Sequence, residues 1–90
     1  MLQDGTLIFY KRKLLMFLEM RAGVEVPESK LVTDMQISVD MNARREDVVQ
    51  ALNGLKDQAH AAKRLTDFNG WVWNITPAGH EAAARLKLEE

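Results

Sequence analysis

Residues 44–86 read RREDVVQALNGLKDQAHAAKRLTDFNGWVWNITPAGHEAAARL, and this stretch decides the fold. Val48, Val49, Leu52 and Leu55 recur three and four residues apart, the spacing of one buried helix face. Glu46, Asp47, Gln50, Asn53 and Asp57 fall on the outward side. The pattern predicts a helix from about Ala43 to Gln58, with Asn42 as its N-cap and Arg44 and Arg45 in its first turn. Asn69-Gly70, between two short strand-like runs, signals a hairpin. Thr76-Pro77 then opens a last helix, from Pro77 to about Leu88, because threonine caps well and proline suits a first turn. Ala78, Gly79, Ala82 and Ala83 are small enough to let that helix pack closely.

The hairpin allows two registers. A two-residue Asn69-Gly70 loop sets Leu65 opposite Asn74 and Arg64 opposite Ile75. A three-residue Phe68-Asn69-Gly70 loop, with Gly70 left-handed, sets Leu65 opposite Trp73 and Lys63 opposite Ile75. The second is favoured, because it gathers Leu65, Trp71, Trp73 and Ile75 on one face. Phe68 then stands near the tip. Trp71 and Trp73 are able to stack on bases, but their alternation with Ile75 favours a core role.

Upstream, residues 1–5 are expected to be loose. Thr6 is placed to cap a first helix from Leu7 to about Ala22, stopped by a left-handed Gly23. Leu7, Leu14, Leu15, Leu18 and Ala22 form its core stripe. Phe9, Met16 and Met20 fall nearly opposite and are read as a dimer contact, the alternative being a helix packed between other elements of its own chain. Val24-Glu25-Val26 alternates like a short strand able to pair with the hairpin. Pro27 opens a second helix, with Glu28 in its first turn and Leu31, Val32, Met35 and Val39 at helical spacing. Asp40-Met41-Asn42 breaks it. Gly54, unfavourable in mid-helix, marks either a close approach or simple tolerance.

The resulting order is helix, short strand, helix, helix, two-stranded hairpin, helix. This is the order of the winged helix-turn-helix, and Ile75-Thr76-Pro77-Ala78-Gly79 resembles the Leu-Thr-Pro-x-Gly run of MarR-type and PadR-type transcriptional regulators. The fold class expected is therefore α+β, mostly helical: a single domain over residues 1–90 with a three-helix core, a short first strand, a two-stranded wing and a C-terminal helix. The resemblance implies a regulator that binds double-stranded DNA, usually as a dimer, with the third helix in the major groove and the hairpin on the backbone or minor groove. Carried over by position, the DNA-contacting residues are Asn42, Arg44, Arg45, Gln50 and Asn53 on the third helix, and Lys63, Arg64 and Asn69 on the wing. Arginine reads guanine, and asparagine or glutamine reads adenine.

Several residues depart from that pattern. Glu46, Asp47 and Asp57 would face phosphates. The tip Phe68-Asn69-Gly70 carries no cation. The connection from Met35 to Asn42 is longer than a typical helix-turn-helix turn, and Ala59 stands where a glycine commonly follows the third helix. These features motivate the alternative of a winged-helix protein-interaction module without nucleic-acid binding.

Composition narrows the remaining classes. Ninety residues with net charge −1 and 47% hydrophobic content make one globular domain without the basic excess of a broad nucleic-acid grip. The absence of cysteine excludes disulfides and thiolate metal sites and fits a cytoplasmic setting. No apolar run is long enough for a membrane span. His60 and His80 lack partners at metal-ligand spacing, no phosphate loop occurs, and neither an enzyme activity nor a cofactor is expected. Lys11, Arg12 and Lys13 read as a solvated helix face, with DNA contact as the alternative.

Overall fold

A computed structural model describes residues 2–89 and arranges them as α1 (Asp4–Met20), β1 (Val26–Pro27), α2 (Glu28–Ser38), α3 (Arg45–Asp57), β2 (Ala61–Thr66), β3 (Gly70–Ile75) and α4 (Pro77–Glu89). The strands form one antiparallel sheet in the order β1-β3-β2. Helix α1 packs across α3 and α4, and the sheet closes the side of the bundle. Leu14 and Leu18 of α1, Leu31 and Met35 of α2, Val48, Leu52 and Leu55 of α3, and Trp73 of β3 are all fully buried together. This is a mostly helical α+β winged helix.

Several boundaries differ from the sequence reading. Helix α1 starts at Asp4, with Gln3 rather than Thr6 at the cap, and no side chain caps it. The lead-in is correspondingly short: the backbone N–H of Leu2 donates to the Gln50 side chain at 3.2 Å, while Met1 lies outside the described residues. Tyr10 joins the α1 core face, Leu7 is half-buried, and Ala22 lies exposed beyond the helix end. Strand β1 is Val26–Pro27 rather than Val24 to Val26, because Val26 and Pro27 are the residues opposite Trp73 and Val72.

Asn42 does not cap α3. Its backbone N–H donates to Asp40 Oδ1 at 2.9 Å, and Arg44 occupies the cap without a side-chain bond. Helix α2 runs to Ser38, close to the end expected near Val39, and the loop 39–44 then makes the connection to α3 long. Asp40 organises it: Oδ2 accepts from the Tyr10 hydroxyl at 2.9 Å, and the Asp40 carbonyl accepts from the Ala43 N–H. Burial, the hydrogen bond to Asp40 and the charges of Asp40 and Asp47 push the Tyr10 hydroxyl up to about 12, so it stays a neutral donor.

Both expected hairpin registers are corrected. Leu65 pairs with Trp71, Lys63 with Trp73 and Ala61 with Ile75, leaving Asp67-Phe68-Asn69 as the loop. Thr66 sets this closure. Its hydroxyl accepts from the Asn69 N–H at 3.1 Å and donates to the Gly70 carbonyl at 2.9 Å. Gly70 is left-handed (φ +65°), as the favoured loop required, but it opens β3 instead of ending the turn. The favoured register is offset by two residues from the observed one, an even shift, so Leu65, Trp71, Trp73 and Ile75 still share a face.

Candidate nucleic-acid interface

The interface is built outward from the joint that holds α3. Helix α3 ends in paired backbone bonds, His60 N–H to the Leu55 carbonyl and Ala59 N–H to the Lys56 carbonyl, with Ala59 left-handed at φ +62°. This is a Schellman end with alanine where glycine is preferred. The start of α4 locks onto it. The Thr76 N–H donates to the His60 carbonyl, its hydroxyl donates to the Ala59 carbonyl, and the same oxygen accepts the Gly79 N–H at 3.0 Å as the α4 cap. A Cβ on Gly79 would stand 1.9 Å from the His60 carbonyl oxygen, so only glycine fits. The Thr76-Pro77-Ala78-Gly79 run thus clasps the wing and α4 to the end of α3. His80 Nδ1, 2.7 Å from a Glu19 carboxylate oxygen, ties α4 to α1.

At its other end α3 is anchored by Glu28, only 7% exposed. One carboxylate oxygen accepts from the Trp73 indole N–H at 3.1 Å, and the other from Arg45 Nη2 at 3.0 Å. One buried acid therefore joins the start of α2, the wing and the first residue of α3. Its place after Pro27 in a first turn was legible; its burial was not, because both partners are distant in sequence.

Between these anchors α3 divides into faces by helical spacing. Val48, Ala51, Leu52 and Leu55 are buried, so Ala51 rather than Val49 completes the core face. Asp47, Gln50 and Gly54 share the edge toward α1. Gln50 accepts the Leu2 N–H there, which moves it away from the outward stripe predicted for it. A Cβ on Gly54 would meet Lys11 Cδ at 3.1 Å, so the glycine marks a close approach by a lysine stem. The outward stripe is Glu46, Val49, Asn53, Lys56 and Asp57, with Val49 and Asn53 half-buried. Arg44 and Arg45 stand exposed at its start, beside exposed Asn42.

The predicted contact residues are therefore not equivalent. Among the described residues Arg44 makes no ion pair, whereas Arg45 is held by Glu28. Arg64 is gripped at two points by Glu25, which holds that carboxyl below its usual range and raises the guanidinium. Lys63 lies over the Trp71 ring, 4.5 Å from its centre, and 5.7 Å from that of Trp73. Asn69 is exposed at the tip, and Phe68 beside it is 97% exposed. Away from this face, Phe9 (45%) and Met20 (77%) are exposed on α1, while Met16 is half-buried and packs against the core. Among the described residues no group of His, Asp or Glu is arranged to hold a metal ion, and no helix is long and apolar enough to cross a membrane.

A helix crossing behind an exposed helix, flanked by a two-stranded wing, defines the class as a winged helix-turn-helix fold. Among solved structures the chain is similar to a transcriptional regulator from Clostridium thermocellum, Cth-833, with a TM-score of 0.71 and 12% sequence identity over 99% of this chain and 87% of that one. At that identity the likeness establishes the shared fold. No protein-family model and no curated protein matches the sequence.

Proposed function

We propose that the protein is a small DNA-binding transcriptional regulator that reads duplex DNA with α3 and the wing. The observation that carries this reading is Arg44, exposed and free of ion pairs among the described residues, at the start of a helix presented outward by a winged-helix frame. Arg45 is buttressed beside it by Glu28, and Asn53 lies further along the stripe. Gln50 contributes by pinning the N-terminal segment rather than by meeting a base. Asn42, Lys63, Arg64 and Asn69 flank the surface. The Ile75-Thr76-Pro77-Ala78-Gly79 run supports kinship with MarR-type or PadR-type regulators, and the cysteine-free composition supports a cytoplasmic setting. Phe9 and Met20, with Met16 below them, form the surface through which a homodimer would assemble.

The test is titration of duplex DNA in a salt series. Affinity should fall steeply as salt rises. Arg44→Ala should lose roughly 1–3 kcal/mol of binding if this side chain reads a base. No binding at low salt would overturn the proposal.

The second reading, a protein-interaction winged helix, is favoured by a different observation. Leu65 (62%) and Trp71 (40%) form an exposed apolar pair on the wing, and the nearby Arg64 is already neutralised by Glu25. Under that reading the unaltered protein would show no duplex affinity at low salt, and Trp71→Ala would abolish partner binding.

A further inference from the structure

A cleft of about 460 Å³ separates α2 from the wing tip. Pro27, Ser29, Lys30 and Thr33 line one side; Phe68 and Asn69 line the other. Lys30 is the only ionised group in this lining. It reaches Asp34 at 3.7 Å on its own helix, yet its side chain is still 52% exposed. Ser29, Thr33 and Asn69 add uncharged polar groups. Asp67, although at the tip, lies outside the lining.

Phe68 is the most exposed large apolar residue described, at 97%. It does not sit on a slack loop. The Thr66 hydroxyl bonds to the backbone of both Asn69 and Gly70, so the tip is braced around the ring. A large apolar side chain raised into water on a turn whose backbone is braced, next to a cleft whose one lining charge is the lysine, has the form of a wedge beside a phosphate channel. Apolar wedges enter minor-groove base steps and kink the duplex. That groove, about 6 Å wide, admits a side chain on a narrow ribbon rather than a helix.

We propose that the cleft seats one sugar–phosphate strand of duplex DNA, and that Phe68 inserts into a minor-groove base step and bends the duplex. Lys30 supplies the phosphate contact, with Ser29, Thr33 and Asn69 as polar partners along the strand. This rests on the DNA-binding reading and adds to it a second contact surface and a deformation of the DNA. Pyrimidine–purine steps are the preferred targets, because they unstack most easily.

The experiment uses the full chain and an end-labelled duplex of about 30 base pairs with central TA steps. Fluorescence anisotropy reads affinity, and energy transfer between the ends reads bending. The unaltered protein should shorten the end-to-end distance on binding. Phe68→Ala should bind roughly tenfold more weakly and lose most of the bend. Lys30→Ala should lower the salt slope by about 1. Both positions are exposed, and circular dichroism checks that the variants fold. Arg44→Ala serves as the control: weaker binding with the bend intact. Unchanged affinity and bending in Phe68→Ala, with Arg44→Ala impaired, would overturn this inference alone. No binding by the unaltered protein would overturn both it and the DNA-binding reading.

Discussion

Trp73 and Trp71 lie on one face of β3 and meet opposite surroundings. Trp73 is fully buried, its indole N–H held by Glu28, whereas Trp71 is 40% exposed, with Lys63 over its ring. Alternation along a strand specifies which side a residue faces. It does not specify how far the body extends beneath that side. At the base of the wing, Ala61, Trp73 and Ile75 lie against the helices. Toward the tip, Leu65, Trp71 and Phe68 extend past them. The base fixes the position of α3, and the tip stands clear of the helices.

The largest expected effect tests that division directly. Trp73→Ala should destabilise the fold by roughly 3–5 kcal/mol, as removal of a fully buried large aromatic does. Trp71→Ala, losing mainly its contact with Lys63, should lower stability by about 1 kcal/mol or less. Denaturant midpoints measure both. Equal effects would mean that the wing is buried along its whole length.

Much of the base was legible in the sequence. The Val48–Leu52–Leu55 spacing, a hairpin with a left-handed Gly70 and the cap at Thr76 each follow from local chemistry, and together they place α3, the wing and α4 in order, although the loop itself is Asp67-Phe68-Asn69. The errors have local causes of another kind. The register depends on the Thr66 hydroxyl closing the loop, and no hydrophobic pattern encodes that bond. Ala51 rather than Val49 completes the core face because size and apolarity are weak guides to which side of a helix meets its neighbour. The candidate interface was less legible still. Arg45 and Arg64 are recognisable as cations near the right surface, but their partners Glu28 and Glu25 are brought in by tertiary packing. Gln50 turns toward the N-terminal segment for the same reason. Phe68 could have been found from its place at the tip of a polar turn, where a large apolar residue has nothing to pack against.

The two carboxylates extend the contrast. Glu28→Ala leaves a buried indole N–H without an acceptor and frees Arg45, and it should lower stability by roughly 1–3 kcal/mol. Glu28→Gln should restore part of this, since its carbonyl oxygen still accepts from Trp73. Glu25→Ala removes a solvent-exposed partner of Arg64 and should leave the denaturant midpoint unmoved. A large loss in Glu25→Ala would show that the outer part of the sheet depends on its ion pair as the base depends on Glu28.

A small effect of opposite sign sharpens the account of the joint behind α3. Ala59 holds a left-handed backbone, φ +62°, because the Schellman end must turn the chain directly into β2 while presenting two carbonyls to Thr76. An alanine there carries a steric penalty that glycine avoids. Glycine also gives back part of the gain through the greater freedom of the unfolded chain. The net expectation for Ala59→Gly is a stabilisation of roughly 0.5–1 kcal/mol, read as a higher denaturant midpoint at unchanged slope. Duplex affinity should not change, because the residue lies behind α3 and away from Arg44 and the tip. Destabilisation would mean that residue 59 is not left-handed in solution, and the clasp between Thr76 and the end of α3 would then have to be rebuilt.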